Sequence, residues 1–207
     1  YGGLVYALND QWSAYASYSD IFQAQNAVTA AGDLLAPIKG RNLEVGMKGE
    51  LLDGRMNAAV ALFRIDQKNR AQELPDVKGC GSGAASACYE AAGEIRTRGL
   101  ELELGGELAP GWQASAGYTY AAAEYVKATG SAQKGDRFDS DSPYNLFKLA
   151  TSYQLPGELE QWSVGGAFRT QSRTYTNFNV KQGGYSVVDL MTQYRATSAV
   201  TLQANLN

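Results

Sequence analysis

The sequence predicts an all-β fold, about ten consecutive antiparallel strands of a transmembrane β-barrel. Three observations carry this prediction. Apolar and polar residues alternate with period two over about ten residues at a time. Short and long connections alternate strictly along the chain. Aromatic residues recur at one level of the strands, beside the short connections.

The alternation places strands at roughly 2–8, 11–19, 41–51, 55–68, 94–108, 112–126, 144–155, 161–174, 185–195 and 199–207. In the third, Leu43, Val45 and Met47 share one face, and Asn42, Glu44, Lys48 and Glu50 the other. In the fifth, Leu100, Leu102, Leu104 and Leu108 oppose Glu101, Glu103 and Glu107. The sixth sets Trp112, Ala114, Ala116, Tyr118 and Tyr120 against Gln113, Ser115 and Thr119. The last sets Val200, Leu202, Ala204 and Leu206 against Thr201, Gln203 and Asn205. A helix, with 3.6 residues per turn, would mix these sets. The fourth segment carries apolar groups on both faces. Ala59, Ala61, Phe63 and Ile65 are assigned to its apolar face, so that Arg64, Asp66 and Lys68 share the polar one.

Short connections fall at Asn9-Asp10, Asp53-Gly54, Pro110-Gly111, Pro156 to Glu160 and Thr197-Ser198, all turn-forming residues. Long ones fall at about 20–40, 69–93, 127–143 and 175–184, rich in Gly, Ser, Asp, Asn and Gln. All short turns therefore lie at one end of the sheet and all long loops at the other, as in outer-membrane barrels. Trp12, Trp112 and Trp162 follow short turns on the apolar face, while Tyr153 and Tyr194 precede them, giving one aromatic ring at a membrane boundary. Tyr18, Phe63, Tyr120, Phe147 and Phe168 are candidates for the opposite ring. The charges Glu44, Lys48, Glu50, Arg64, Asp66, Glu101, Glu103, Lys148 and Arg169 then line a lumen. They are too many for a packed interior and imply a wide barrel.

Composition narrows the function classes. At 207 residues, 44% apolar and 11% aromatic, the chain is too rich in core-forming residues for disorder, and 13 Tyr with 23 Gly suit strands and turns. A net charge of −3 gives no footprint for nucleic acid. With no histidine there is no Ser-His-Asp or Cys-His site and no imidazole zinc site, so outer-membrane enzymes built on a catalytic His are disfavoured. No apolar run of about 18 residues could cross a membrane as a helix. Cys80 and Cys88 flank the Gly/Ser/Ala segment 81–87 in a stretch without periodicity. A loop disulfide in an oxidising compartment and a pair of unrelated small buried residues are both open, the bond being the expectation.

The run Gly40-Arg41-Asn42-Leu43-Glu44-Val45-Gly46-Met47-Lys48-Gly49-Glu50, followed by Leu52-Asp53-Gly54-Arg55, resembles the G-x-x-x-E-x-G-x-K strand and turn of TonB-dependent siderophore receptors. Ala61 to Asn69 resembles the strand that follows it, and Arg98-Gly99-Leu100-Glu101-Leu102-Glu103 the R-G-x-E-x-E strand. Pro110-Gly111-Trp112 with Gly117-Tyr118-Thr119-Tyr120 resembles the next hairpin, and Tyr185 to Tyr194 a late one. The resemblance covers nearly the whole chain in order and lies nearest the branch taking hydroxamate or mixed-ligand siderophores such as coprogen, pyoverdine or alcaligin. It implies a 22-stranded barrel in the bacterial outer membrane, filled by an N-terminal plug. Residues 1–207 would be part of the C-terminal barrel domain, with the plug and the final strands absent.

The same resemblance implies a ferric siderophore as cargo, no cofactor, contact with outer-membrane lipid, and energy from the TonB complex through the missing N-terminal region. A self-contained ten-stranded barrel and a soluble β-rich binding protein are the alternatives. If the cargo is a bulky chelate with oxygen atoms at its surface, Arg169, Gln171 and Arg173 on the lumen parity of the eighth strand, with Tyr175 and Phe178 in the loop beyond, are suited to hold it. Those arginines could instead neutralise lumen carboxylates or contact the plug.

Overall fold

The computed structural model describes residues 1–80, 86–128, 132–138, 140–176 and 180–207. Its strands are β1 (Gly2–Ala7), β2 (Trp12–Gln23), β3 (Ile38–Leu51), β4 (Met56–Lys78), β5 (Ala87–Ala109), β6 (Trp112–Lys127), β7 (Asn145–Gln154), β8 (Trp162–Gln171), β9 (Thr174–Tyr175), β10 (Lys181–Gln182), β11 (Tyr185–Arg195) and β12 (Thr201–Leu206). Ten of them form one antiparallel sheet in chain order, β1 to β8, then β11 and β12, which are the ten strands expected. β9 and β10 make a separate two-stranded ribbon. β1 and β12 do not pair with each other, so these strands do not close a barrel.

Local chemistry fixes the short turns. The Asn9 Oδ1 accepts the N–H groups of Gln11 and Trp12 at 2.9 and 2.8 Å, turning the chain from β1 into β2. Leu52, Asp53 and Gly54 all have positive φ, and Gly111 (φ 77°) closes the β5–β6 hairpin. Thr197 Oγ1 accepts from Ala199 and Val200 between β11 and β12.

Because directly paired residues point to one side, register decides the faces. One row runs Trp12, Gly49, Ala58, Leu104, Ala116, Leu149, Phe168, Val188. The row beside it on the other face runs Ser13, Lys48, Ala59, Glu103, Gly117, Lys148, Arg169, Val187. A hollow of about 1080 Å³ touches Lys48, Ala59, Glu103, Ser115 and Lys148, so it lies on the charged face from β3 to β7, which is therefore concave. The apolar face is convex and uncovered: Leu62, Val188 and Leu202 are 56%, 56% and 60% exposed. Among the described residues no second sheet packs against it, which excludes a β-sandwich. Trp112 meets Tyr153 edge-on at 6.0 Å, and Trp162 meets Tyr194 at 4.6 Å, so the ring beside the short turns forms as expected. At the other end Phe147 and Phe168 are 6.2 Å apart.

Two expectations are corrected. Arg64 pairs with Leu43 and Arg98, and Leu62 with Val45 and Leu100, so β4 has the opposite phase to that expected. Ala59, Ala61, Phe63 and Ile65 join the concave face, while Arg64, Asp66 and Lys68 join the convex one. The ring of Phe63 lies over Gly99, where any Cβ would strike it, and this close approach fixes the phase. Second, 69–93 is mostly strand. β4 and β5 have 23 residues each, roughly 75 Å of chain at about 3.3 Å per residue. That is far more than the 9–11 residues a barrel strand needs to cross a bilayer. The excess projects beyond the apolar band, past a bulge at Asn69 (φ 63°).

Ala116 and Ser115 are neighbours on opposite faces. Ala116→Lys is expected to cost about 2–4 kcal/mol if it sits near mid-bilayer, and Ser115→Lys little. Denaturant titration of the bilayer-inserted barrel, read by heat-modifiable gel mobility, measures the difference.

Candidate functional site

The long connections gather at one end, and most of the cation–aromatic contacts are there. Arg137 reaches into that end from the β6–β7 loop. Its guanidinium lies 3.9 Å from the Tyr144 ring centre and 5.5 Å from that of Tyr175, placing the cation among two phenols. Arg137 also donates to the Ser142 carbonyl. Its buried Nε has no acceptor among the described residues. Tyr144 meets Tyr120 edge-on at 6.3 Å. Burial pushes the Tyr144 phenol above its ordinary value, against the opposing pull of Arg137, which keeps it a neutral hydrogen-bond donor.

Backbone bonds position these groups. Tyr175 sits in β9, opposite Lys181 of β10, and its N–H donates to the Ser140 carbonyl at 2.9 Å. An isolated bridge joins Arg137 to Glu124, and the Phe138 N–H donates to Ala123 at 2.9 Å. Phe138 meets Tyr125 edge-on at 5.5 Å, and the Arg70 guanidinium lies over the Phe138 ring, 4.5 Å from its centre. The β6–β7 loop is thereby pinned to both the projecting β4–β5 hairpin and the loop beyond β8.

The expected residues are distributed over this region rather than clustered. Arg169 and Gln171 lie on the concave face as expected, Arg169 between Lys148 and Val187, Gln171 between Leu146 and Tyr185. β8 ends at Gln171, so Arg173 lies past the strand, where strand parity no longer places it. Tyr175 joins Arg137 and Tyr144. Phe178 lies outside the described residues. Arg137 and Tyr144 escaped sequence reasoning because their loop has no period. The only signal was a basic–aromatic pair, Arg137-Phe138, inside an otherwise polar stretch.

At the tip of the β4–β5 hairpin, Cys80 and Cys88 are joined by a disulfide with Cα atoms 5.0 Å apart, beside a backbone bond from Gly79 N–H to the Ser86 carbonyl. Deeper on the concave face the Tyr15 hydroxyl donates to Glu44 at 2.7 Å, with Lys48 5.0 Å from its ring. Among the described residues no group of three His, Cys, Asp or Glu is placed to hold a metal ion.

A family profile described as "TonB dependent receptor-like, beta-barrel" matches residues 1–207. The ferripyoverdine receptor of Pseudomonas aeruginosa is 37% identical over 218 aligned residues, covering 100% of this chain and 26% of the relative. The crystal structure of that bacterium's outer-membrane ferripyoverdine receptor bound to ferripyoverdine superposes with a TM-score of 0.83 at 37% identity, covering 98% of this chain and 28% of that one. The alcaligin receptor FauA from Bordetella pertussis gives a TM-score of 0.73 at 34% identity, covering 99% and 33%. The chain spans about a quarter of the length of the curated relatives it matches.

Replacing both cysteines by Ser is expected to open the hairpin tip, removing about 2–3 kcal/mol of local loop-closure stabilisation. Amide exchange at Lys78 and Gly79 should rise, while gel mobility of the folded barrel stays the same.

Proposed function

The chain belongs to the TonB-dependent receptor β-barrel family of the bacterial outer membrane, and from that premise we propose that it is the mouth-bearing part of a ferric siderophore importer. Residues 1–207 contribute to the C-terminal barrel domain of a longer protein whose plug fills the lumen. The TonB complex contacts that protein through its N-terminal region. Iron enters only as cargo within the chelate. No cofactor takes part and no bond of the cargo is made or broken, so the protein is a receptor and not an enzyme.

The observation that supports this most directly is the cation–aromatic cluster at the long-loop end, in a chain whose full-length relatives are named for pyoverdine. A ferric hydroxamate-type chelate presents oxygen atoms on a rigid, bulky surface. Arg137 offers an Nε–H that has no acceptor among the described residues, and Tyr144 and Tyr175 offer phenols and ring faces. Arg169 and Gln171 extend this surface toward the lumen, and Arg173 and Phe178 are the further cargo-binding candidates that the sequence pattern suggests. Arg169 also shares its row with Glu103 and Lys148, which suits a contact with the plug. A self-contained ten-stranded barrel fits less well, because β1 and β12 leave open edges.

In the full-length receptor, Arg137→Ala and Tyr175→Ala are each expected to weaken binding of ferric pyoverdine or ferric alcaligin about tenfold, corresponding to a cation–π and hydrogen-bond loss of about 1.4 kcal/mol. Tryptophan quenching gives the affinity and radioiron uptake the transport rate. Unchanged affinity in both variants, with an assembled barrel, would overturn the site.

A further inference from the structure

The bulge in β4 decides where Arg70 points. Gln67 is paired with Ile95 and Arg70 with Gly93, so β4 contributes one more residue than β5 over this stretch, and Asn69 (φ 63°) takes up the irregularity. In an unbroken strand Arg70 would share the convex parity of Arg64, Asp66 and Lys68. The extra residue carries it to the concave side, in phase with Gln67, whose Oε1 accepts from Arg70 Nη1 at 3.1 Å. The bulge is held from outside the strand. Gln25 donates to the Asn69 carbonyl at 2.7 Å, and the Asn69 side-chain amide donates to the Pro37 carbonyl at 3.2 Å. Arg70 forms no ion pair with a described residue. Its charge lies instead over the Phe138 ring, 4.5 Å from the centre.

Phe138 follows Arg137 in the chain, and neighbours in an extended ribbon point to opposite sides. The ribbon here is short. The Tyr125 N–H donates to the Asp136 carbonyl and the Phe138 N–H to the Ala123 carbonyl, both at 2.9 Å, with Glu124 and Arg137 bridged between them. So small a ribbon is marginal in water by itself. Phe138 supplies what the backbone lacks, since it is flanked by Tyr125, edge-on at 5.5 Å, and by the Arg70 guanidinium. We propose that Arg70 is a positioning residue for cargo binding: by clamping Phe138 it holds the backbone that presents Arg137 between Tyr144 and Tyr175 before the chelate arrives. This role presupposes Arg137 as the cargo contact proposed above. A planar guanidinium stays charged and stacks on a ring, so the clamp persists at any physiological pH. A loop ordered in advance leaves less ordering to be done on binding, and that difference appears as affinity.

The test uses the full-length receptor, with ferric pyoverdine or ferric alcaligin, whichever the wild type binds, as the probe. Arg70→Met keeps an unbranched side chain and removes the cation. It is expected to raise amide exchange at Tyr125 and Phe138 in the ligand-free receptor and to weaken the probe about fivefold, with gel mobility of the folded barrel unchanged. Arg70→Lys returns a cation to the ring and should recover most of the affinity, which a role in packing alone would not produce. In an Arg137→Ala background, Arg70→Met should add no further loss, because the group it positions is gone. Unchanged exchange at both amides in Arg70→Met overturns the proposal without reference to cargo. Where Arg137→Ala is itself weakened, three results overturn it and leave the cargo site standing: wild-type affinity in Arg70→Met, no recovery in Arg70→Lys, or an equal loss in both backgrounds. Wild-type affinity in Arg137→Ala overturns the cargo site, and the positioning role with it.

Discussion

Everything in this structure depends on one requirement: inside hydrocarbon, each backbone N–H and C=O must find its partner within the sheet. That requirement makes the ladder continuous from β1 to β12 and leaves register as the only freedom. Register then sets chemistry, because side chains alternate faces along every strand. A slip of one residue would carry Lys48, Glu103, Lys148 and Arg169 to the lipid side and the leucine rows to water. Local devices at the short turns guard against it. Asn9 caps the first hairpin and three consecutive positive-φ residues close the second. Aromatic rings seated over glycines, Trp12 on Gly49, Tyr15 on Gly46 and Phe63 on Gly99, lock neighbouring strands in phase.

Strand number, order and faces were legible wherever one face is polar and the other is not, as in β3, β5, β6 and β12. β4 was not, because both its parities carry apolar side chains, and charges at its far end have the same signature whether they line a lumen or stand past the hydrocarbon. A better guide lay in the flanking strands. In β3, Arg41 is in phase with Leu43 and Val45. In β5, Arg96 and Arg98 are in phase with Leu100 and Leu102. Leucine rows that end in arginine on both neighbours imply that Arg64 and Asp66 continue the same convex row past the hydrocarbon. The projecting part of the β4–β5 hairpin was illegible for a different reason. Clear of the membrane, neither face needs to be apolar, so the alternation that signals a strand disappears while the ladder persists.

The mouth follows other rules than the wall. It is held by side-chain-to-backbone bonds across long sequence separations. Gln25 donates to the Ala36 and Asn69 carbonyls and accepts from the Ala71 N–H, tying the β2–β3 loop to the bulge of β4. Tyr89 N–H donates to the Val28 carbonyl, which ties the same loop to β5. None of these bonds belongs to the barrel ladder below. Loop sequence can therefore change the surface offered to a ligand without disturbing the strands that cross the membrane, and periodicity cannot report which loop residues meet.

Three arginine environments show how position decides role. Around Asp66, three guanidiniums on the convex face share one carboxylate. On the concave face, Arg169 lies beside Lys148, with Glu103 three strands farther along the same row, so its charge faces the lumen. Arg137 is taken up by two tyrosine rings, with a buried Nε that has no acceptor among the described residues. Leaving such a donor unmet costs about 1–3 kcal/mol, more for a charged group. The rings and the Ser142 carbonyl compensate the cation but cannot accept at Nε, since they engage the face and another nitrogen of the same group. An incoming oxygen acceptor would remove that cost as well as add a bond, so a ligand gains more at Arg137 than at an arginine already satisfied by a carboxylate. The site proposed at the mouth therefore centres on the loop arginine, which the alternation does not bring to notice, because its Nε is the donor with most to gain from an oxygen ligand.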